Sequence, residues 1–325
     1  MKIDISDIKE IIKNEYPNIL SILAYRNDEK KYEYFSDLSK DNKPVHIASV
    51  TKSIISVLVG IAIKKGFITS VEDRVLDYFP DYPLKGKNKD RINKLKVLKI
   101  RHLLTMTAPY SYKSEPYTKV YSSNDWLSTV LSLLGRGGDI GEFKYTTVGM
   151  QVLSGIITNA TKKSVRDFAN ETLFSPLGIS NAKDIQIRDK IEYMSFIKES
   201  EKSGWVSDPS GCNSAGWGLT LSVSEMIKIG QLYLNGGKWG SKEIITPEWI
   251  KTSTMKHIRS GGRYYGFLWW VIDEHTGTFA AIGDGGNVIY VSTQNDIVIA
   301  ITSRFCSRPK DRIELIEKYI IPLCY

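Results

Sequence analysis

The amino-acid sequence predicts an α+β fold in which one antiparallel sheet is assembled from both ends of the chain, with flanking helices. Two observations support this. Strand-like segments occur near the N-terminus and again after residue 264, whereas residues 67–215 are mainly helical in pattern and rich in loops. In addition, the segment 50–65 is apolar nearly all round a helix, so we expect it to lie buried in the middle of the protein.

The N-terminal elements follow from local patterns. Ser6 or Asp7 can cap a first helix that runs to about Asn14. Segments 19–25 and 31–35 flank Asn27-Asp28 and predict a hairpin of two strands. The apolar helix 50–65 is predicted to end at Gly66.

The rest of the chain alternates between helical and strand patterns in two blocks. Helices are predicted at 124–134, 148–160, 165–173, 224–235 and from Pro247 onward. Strands are predicted at 265–272, 278–282, 287–292 and 297–303, with a closing helix at 310–319. We therefore expect a discontinuous sheet domain of residues 1–66 and 216–325, a helical domain of residues 67–215, and an active site at their junction.

Composition favours a globular protein with a small-molecule partner. The 325 residues are 42% apolar and carry a formal net charge of +8. The densest basic stretch, Lys85 to Arg101, is typical of a solvated lysine-rich surface, so no nucleic-acid partner is expected. The longest apolar run, 54–63, is shorter than the roughly 20 residues that cross a bilayer. The N-terminus lacks the apolar stretch of a signal peptide, which predicts a cytoplasmic protein without a membrane partner unless a leader has been removed.

The cysteines and histidines are not spaced along the sequence as metal ligands are. Cys212, Cys306 and Cys324 form no CxxC pair, which indicates free thiols in a reducing compartment. The four histidines form no pattern such as HExxH. We expect neither a metal nor a cofactor.

One serine combines a nearby lysine with a favourable position. Ser49 and Lys52 form one of several Ser-x-x-Lys pairs, and the spacing alone is weak. However, Ser49 lies where a short extended piece meets the most apolar helix, so its hydroxyl is at a helix N-terminus that favours developing negative charge. Residues i and i+3 share a helix face, and a buried lysine has a lowered pKa. From position alone, an N-cap serine followed by a surface lysine explains the pair equally well.

The surrounding motifs resemble those of the serine β-lactamase and penicillin-binding-protein family. The segment HIASVTKSIISVLVGIAIKKG is similar to its S-x-x-K signature, and FKYTTVGMQVLSG to its Y-x-N or Y-x-S signature. Asp284-Gly285-Gly286, between two late strands, takes the place of the K-T-G or H-x-G signature. The likeness is greatest to class C β-lactamases and to the related esterases and 6-aminohexanoate-oligomer hydrolases. It implies a β-lactamase/transpeptidase-like fold.

The resemblance also implies residue roles. Ser49 would attack a carbonyl and form an acyl-enzyme, and Lys52 and Tyr145 would handle the protons. Which of these two is the base stays open at this point. The backbone N–H groups of Ser49 and Asn287 would form the oxyanion hole.

Two departures from the signatures bear on the substrate. The second signature ends in Thr147 instead of asparagine, which leaves a hydroxyl in place of a carboxamide. The third begins with Asp284 instead of lysine, and an aspartate repels a carboxylate. We therefore expect uncharged or amine-bearing esters or amides to be preferred over β-lactams.

Further residues are expected to line the substrate site. Gly285 and Gly286 would let the backbone approach a substrate or turn tightly. Tyr110 and Trp217 lie in segments that flank the site in similar proteins, and we expect them to form its walls.

Three functions remain open from the sequence. The first is a serine esterase or amidase that needs no cofactor. The second is a β-lactamase or a DD-peptidase-like penicillin-binding protein. The third is a non-catalytic binding or sensing protein that keeps the fold, because fold alone does not determine function.

Overall fold

A computed structural model describes residues 5–37, 42–84, 88–199 and 202–325. The helices in these ranges are α1 (Ile5–Glu15), α2 (Val50–Lys64), α3 (Lys89–Val97), α4 (Ile100–Leu104), α5 (Tyr117–Tyr121), α6 (Trp126–Leu133), α7 (Gln151–Thr161), α8 (Val165–Ala169), α9 (Lys190–Glu199), α10 (Val223–Leu234), α11 (Pro247–Thr254) and α12 (Arg312–Leu315). The strands are β1 (Ile19–Arg26), β2 (Glu29–Phe35), β3 (Val45–His46), β4 (Asp184–Gln186), β5 (Trp205–Ser207), β6 (Thr220–Leu221), β7 (Lys238–Trp239), β8 (Lys242–Glu243), β9 (Ile258–Ser260), β10 (Arg263–Tyr265), β11 (Trp270–Asp273), β12 (Thr278–Gly283), β13 (Asn287–Ser292) and β14 (Ile297–Ser303).

One antiparallel sheet joins the two ends of the chain, as the sequence predicts. In the described residues it has eight strands in the order β2-β1-β14-β13-β12-β11-β10-β9. The N-terminal hairpin enters the sheet through β1, which pairs with β14 in a register that places Ile22 opposite Ile301. The short strand β3, just before α2, pairs separately with β6.

Both faces of the sheet are buried. Successive side chains along its central strands point to opposite faces and so belong to two separate apolar clusters. Ile289 and Val291 of β13 pack in the larger cluster, which contains α2 and α10. Val288 and Tyr290 point to the other face, where α1 and the C-terminal helix cover them. Because successive side chains of a strand face opposite sides, a helix layer on each face accounts for the almost continuous apolar sequence of β13 and β14.

Two predicted elements differ from the structure. The predicted strand 265–272 is divided into β10 and β11, because Leu268 adopts a left-handed φ of 64° and its N–H bonds the Leu104 carbonyl outside the sheet. The closing helix begins at Arg312 because the Asp311 carboxylate caps it, accepting from the Ile313 N–H. It continues as a π-turn at Ile316–Ile320 and a 3₁₀ turn at Ile321–Cys324.

Two further expectations concern the surface and the membrane. The N-terminal part of the basic stretch, residues 85–87, lies outside the described residues, and the following part forms α3. In the described ranges no helix has the length and apolarity needed to cross a membrane. The division into a sheet domain and a helical domain stays a prediction.

The packing of α10 on the sheet can be tested at Gly230. A Cβ added there would lie 2.4 Å from Val298 Cγ1, so alanine would force the helix away from β14. We expect Gly230→Ala to lower the free energy of unfolding by about 1–3 kcal/mol, as overpacking does. Urea denaturation measures the change. The neighbouring Gln231→Ala, at a half-buried position of the same helix, serves as control, and equal stability of the two variants would contradict this packing.

Candidate active site

The candidate nucleophile lies on a strained turn between β3 and α2. Ala48 has a left-handed φ of 49°, and Ser49 follows as the N-cap of α2. The first helical turn is tight, since the N–H of Lys52 bonds the Ser49 carbonyl at 3.0 Å. The Ser49 N–H donates no hydrogen bond to any residue of the described ranges. A half-buried hydroxyl and an unused backbone donor are therefore presented together at a helix N-terminus.

The amine of Lys52 is held beneath Ser49 by three acceptors. Its side chain is 1% exposed. Nζ lies 2.7 Å from Ser49 Oγ, 3.1 Å from Thr147 Oγ1 and 2.8 Å from the Gly216 carbonyl oxygen. Three donors and three acceptors match an ammonium group. The arrangement excludes the alternative in which Lys52 is a surface residue.

Burial prepares this amine for proton transfer. Loss of hydration lowers the pKa of Lys52 to about 7, against an opposing effect of the Asp284 and Glu115 carboxylates. Near neutral pH the amine is therefore populated in both forms. The neutral form has one lone pair, and the Gly216 carbonyl can only accept, so a hydroxyl of Ser49 or Thr147 must turn to donate to Nζ. Ser49 can thus give its proton to Lys52.

The Tyr145 side chain lies next to the Lys52 amine and the Ser49 hydroxyl. The Lys52 Nζ lies 4.9 Å from the centroid of its half-buried ring. The ring stacks on Trp270 with centroids 6.1 Å apart. Burial raises the pKa of Tyr145 above its ordinary value, although the nearby Ser49 hydroxyl opposes this shift. Tyr145 is therefore a neutral phenol at pH 7 and can donate a proton.

A carboxylate that the sequence analysis missed supports Thr147. Glu115 Oε2 accepts the N–H groups of Thr147 at 3.1 Å and Val148 at 2.9 Å. Its other oxygen, Oε1, is buried and has no hydrogen-bond partner in the described structure. No short motif marks Glu115, because its partners lie 32 and 33 residues further along the chain.

The end of β12 forms the remaining side of the site. A Cβ added at Gly283 would lie 2.4 Å from the Ile47 carbonyl oxygen and 3.1 Å from the Ser49 nitrogen, so the two backbones are in contact. Asp284 follows on the surface, and Gly285 and Gly286 turn the chain with φ of 78° and 93°. The backbone that contacts Ser49 is therefore that of Gly283, directly before the predicted signature 284–286.

Asn287, whose backbone N–H is the predicted second oxyanion donor, is the first residue of β13 and pairs with Gly283. Its side chain is buried, donates to the carbonyls of His46 and Asp284, and accepts from the Ser303 N–H. These contacts connect the turn to β3 and β14. They indicate a role in holding the hairpin together.

The two predicted wall residues are almost fully buried. Tyr110 is 3% exposed and donates to the Gly149 carbonyl at 3.2 Å. Trp217 is 5% exposed. Its ring packs against an aromatic cluster of His46, Tyr121, Trp126, Tyr193 and Phe196. Contact of either residue with a substrate stays a prediction, and their burial favours a role in supporting the site.

The described residues show no metal-ligand cluster, and the Cys212 thiol is not activated as a nucleophile. No group of three or more His, Cys, Asp or Glu side chains in these ranges is placed to hold a metal ion. All three cysteines are unpaired, and burial raises the pKa of the Cys212 thiol to about 11. A thiol with such a pKa is a poor nucleophile at neutral pH.

Comparison with known proteins identifies the family and the fold. A sequence model of the family described as Beta-lactamase matches residues 20–318. The 6-aminohexanoate-dimer hydrolase of Paenarthrobacter ureafaciens is 22% identical over 302 residues, which cover 86% of this chain and 71% of that protein. A class C beta-lactamase mutant superposes with a TM-score of 0.70 at 14% identity and 98% coverage of both chains. A penicillin-binding protein from Bacillus halodurans gives a TM-score of 0.70 at 12% identity, covering 97% of this chain and 99% of its own.

Fold and site together define a β-lactamase/transpeptidase-like protein of the α+β class. The chain belongs to the Beta-lactamase family, and the resemblance found in the three signatures is confirmed. It is a serine hydrolase of that family.

The lowered pKa of Lys52 predicts a pH dependence. If neutral Lys52 accepts the Ser49 proton, the rate at which a fluorophosphonate labels Ser49 should rise with pH through an inflection near 7 and then level off. Intact mass spectrometry between about pH 5 and 9 measures it. Because Asp284 raises the pKa of Lys52, Asp284→Asn should move the inflection to lower pH. A labelling rate that is flat or falls with increasing pH would contradict this role of Lys52.

Proposed function

We propose that the protein is an esterase or amidase that works through an acyl-enzyme on Ser49 and needs no cofactor. The observation that carries the proposal is the 2.7 Å contact between Ser49 Oγ and the buried Lys52 Nζ. It supplies a nucleophile and a base of suitable pKa in one turn of helix.

The reaction would proceed in two halves. Neutral Lys52 takes the Ser49 proton as Oγ bonds to the substrate carbonyl carbon, which yields a tetrahedral oxyanion. As the bond to the leaving group breaks, the Tyr145 hydroxyl gives it a proton and recovers one from the Lys52 ammonium. Water then attacks the acyl-enzyme in the same manner and releases the acid. The raised pKa of Tyr145 supports the assignment of Lys52 as the base and Tyr145 as the acid.

The oxyanion would be bound by backbone donors. The Ser49 N–H donates no hydrogen bond in the described ranges, and the Gly283 backbone is in contact with it. We infer that the N–H of Asp284, which directly follows Gly283, is the second donor in preference to the predicted N–H of Asn287, which lies beyond the turn. One such donor contributes about 2.7–4 kcal/mol to transition-state stabilisation.

The charge at the site favours substrates without a carboxylate near the reacting carbonyl. Asp284 is exposed at the cleft and forms no ion pair in the described structure, and Glu115 adds a second negative charge beside Lys52. These groups support a preference for uncharged or amine-bearing esters or amides over β-lactams. One relative is named for hydrolysis of a 6-aminohexanoate dimer, which is compatible with an amide substrate of this class.

The nucleophile is tested by comparing the wild type with Ser49→Ala. Each is treated with a fluorophosphonate, a short-chain aryl ester and a penicillin, while intact mass and product are followed. We expect ester turnover and labelling in the wild type and neither in the variant, because Oγ is the only attacking atom. Faster opening of the penicillin than of the ester would show a β-lactamase or DD-peptidase-like enzyme. Labelling without turnover, or no labelling, would show a binding or sensing protein.

The charge preference is tested with matched neutral and ammonium-bearing aryl esters. A charge at about 4 Å in water contributes about 1 kcal/mol, so Asp284→Asn should reduce the preference for the ammonium ester about fivefold at low salt. The ratio of the two kcat/KM values measures it.

A matched control is available at the tip of the β1–β2 hairpin. Asp28 is exposed there and has a left-handed φ of 59°, a conformation that asparagine also tolerates. Asp28→Asn therefore removes the same charge outside the cleft and should leave the ratio unchanged. An equal change of the ratio in both variants would show a general effect of net charge and would contradict a local role of Asp284.

A further inference from the structure

The turn that carries Asp284 is held from behind by two side chains outside the signatures. The Gly285 carbonyl accepts a hydrogen bond from Asn18 Nδ2 at 2.6 Å and a longer one from Arg312 Nη2 at 3.4 Å. Gly286 packs directly against the Arg312 guanidinium, since an added Cβ would lie 2.5 Å from Arg312 Nε. We call this pair of residues, Asn18 and Arg312, the clamp.

The clamp connects three distant parts of the chain. Asn18 precedes β1, and its Nδ2 also donates to the Arg304 carbonyl at 2.8 Å just after β14. Arg312 begins α12 and donates to Asn18 Oδ1 at 2.6 Å and to the Lys310 carbonyl at 2.9 Å. The turn is thus attached to the start of β1 and the end of β14, which are neighbours in the sheet.

The burial of Arg312 is costly. Its side chain is 3% exposed, it forms no ion pair within the described ranges, and its Nε has no hydrogen-bond partner there. Its direct contacts in the described structure are neutral oxygens and the Tyr16 ring, 5.1 Å from Cζ, while the Asp311 carboxylate favours its charge without forming an ion pair. A buried cation without a contacting carboxylate is unfavourable for folding, so a methionine of similar length would suit stability alone at least as well. Its contact with the turn offers a functional reason for the arginine.

We propose that Asn18 and Arg312 are positioning residues that hold the turn 284–286 so that the Asp284 N–H points at the oxyanion site beside Ser49. The inference rests on the proposed function, because it assigns the clamp to that reaction. A displacement of about 1 Å at a reacting centre can lower a rate about a hundredfold, and the turn has two glycines that permit such a displacement.

Two substitutions test the clamp through different atoms. Arg312→Met removes the guanidinium and keeps much of the side-chain length. Asn18→Asp keeps the shape and can still accept from Arg312, but it cannot donate to the Gly285 carbonyl. For each we expect kcat for the aryl ester to fall about tenfold to a hundredfold while KM changes less than about threefold, because the oxyanion forms only after binding. Each kcat is divided by the fraction of protein that a fluorophosphonate labels at Ser49 when the reaction has gone to completion, so that inactive protein does not lower the value.

Three control variants separate positioning from stability. Arg263→Met removes an exposed arginine that pairs with Asp311 at 2.8 Å, one residue before Arg312, and should leave kcat unchanged. Gly230→Ala lowers stability without touching the turn and should leave kcat per folded molecule unchanged. Arg312→Lys, which keeps a donor, should recover part of the activity lost in Arg312→Met.

The outcomes distinguish the two proposals. Wild-type protein that neither turns over the ester nor labels at Ser49 would refute the proposed hydrolase. An active wild type with unchanged kcat in Arg312→Met or Asn18→Asp would refute the clamp alone, as would an equal loss in Gly230→Ala. If Arg312→Met fails to fold, Asn18→Asp decides the question.

Discussion

The arrangement of the site depends on one buried amine. Within the described ranges, Lys52 has no carboxylate at contact distance to neutralise it, and its position is set by Ser49, Thr147 and the Gly216 carbonyl. An ammonium in such surroundings is poorly solvated, which is the reason that its pKa falls to about 7. The same loss of hydration that destabilises the charged lysine would, under the proposed function, let it act as a base at neutral pH.

Burial of this amine requires the architecture around it. Helix α2 is apolar on nearly every side and lies between the sheet and the helices of the middle segment. The sheet that covers it is complete only when β1 from the N-terminal end pairs with β14 from the C-terminal end. The candidate nucleophile therefore sits near residue 50, while the groups around it and Lys52 come from positions 115, 145–147, 216 and 283.

Sequence reasoning was successful where the relevant contacts are local or follow a pattern of known order. Ser49 and Lys52 are one helical turn apart, and the strands and long helices follow from periodicity. It missed Glu115 and the clamp residues Asn18 and Arg312, whose partners are distant in the chain and carry no motif. It could not show that Gly283, next to the predicted third signature, contacts the Ser49 backbone, because that contact depends on how the hairpin packs against β3 and α2.

Under the proposed function, the Asp284 charge would act on catalysis and on substrate choice in opposite directions. The Asp284 carboxylate would attract an ammonium-bearing substrate, yet it also favours the protonated form of Lys52 and so opposes the base. Burial outweighs this effect, since the pKa of Lys52 is still lowered to about 7. A carboxylate at the exposed position 284 can therefore influence binding through water-screened attraction without preventing deprotonation of an amine whose pKa is governed by desolvation. If the proposed function holds, this separation between an exposed charge at position 284 and a buried reactive amine would let the substrate preference change while the nucleophile is kept.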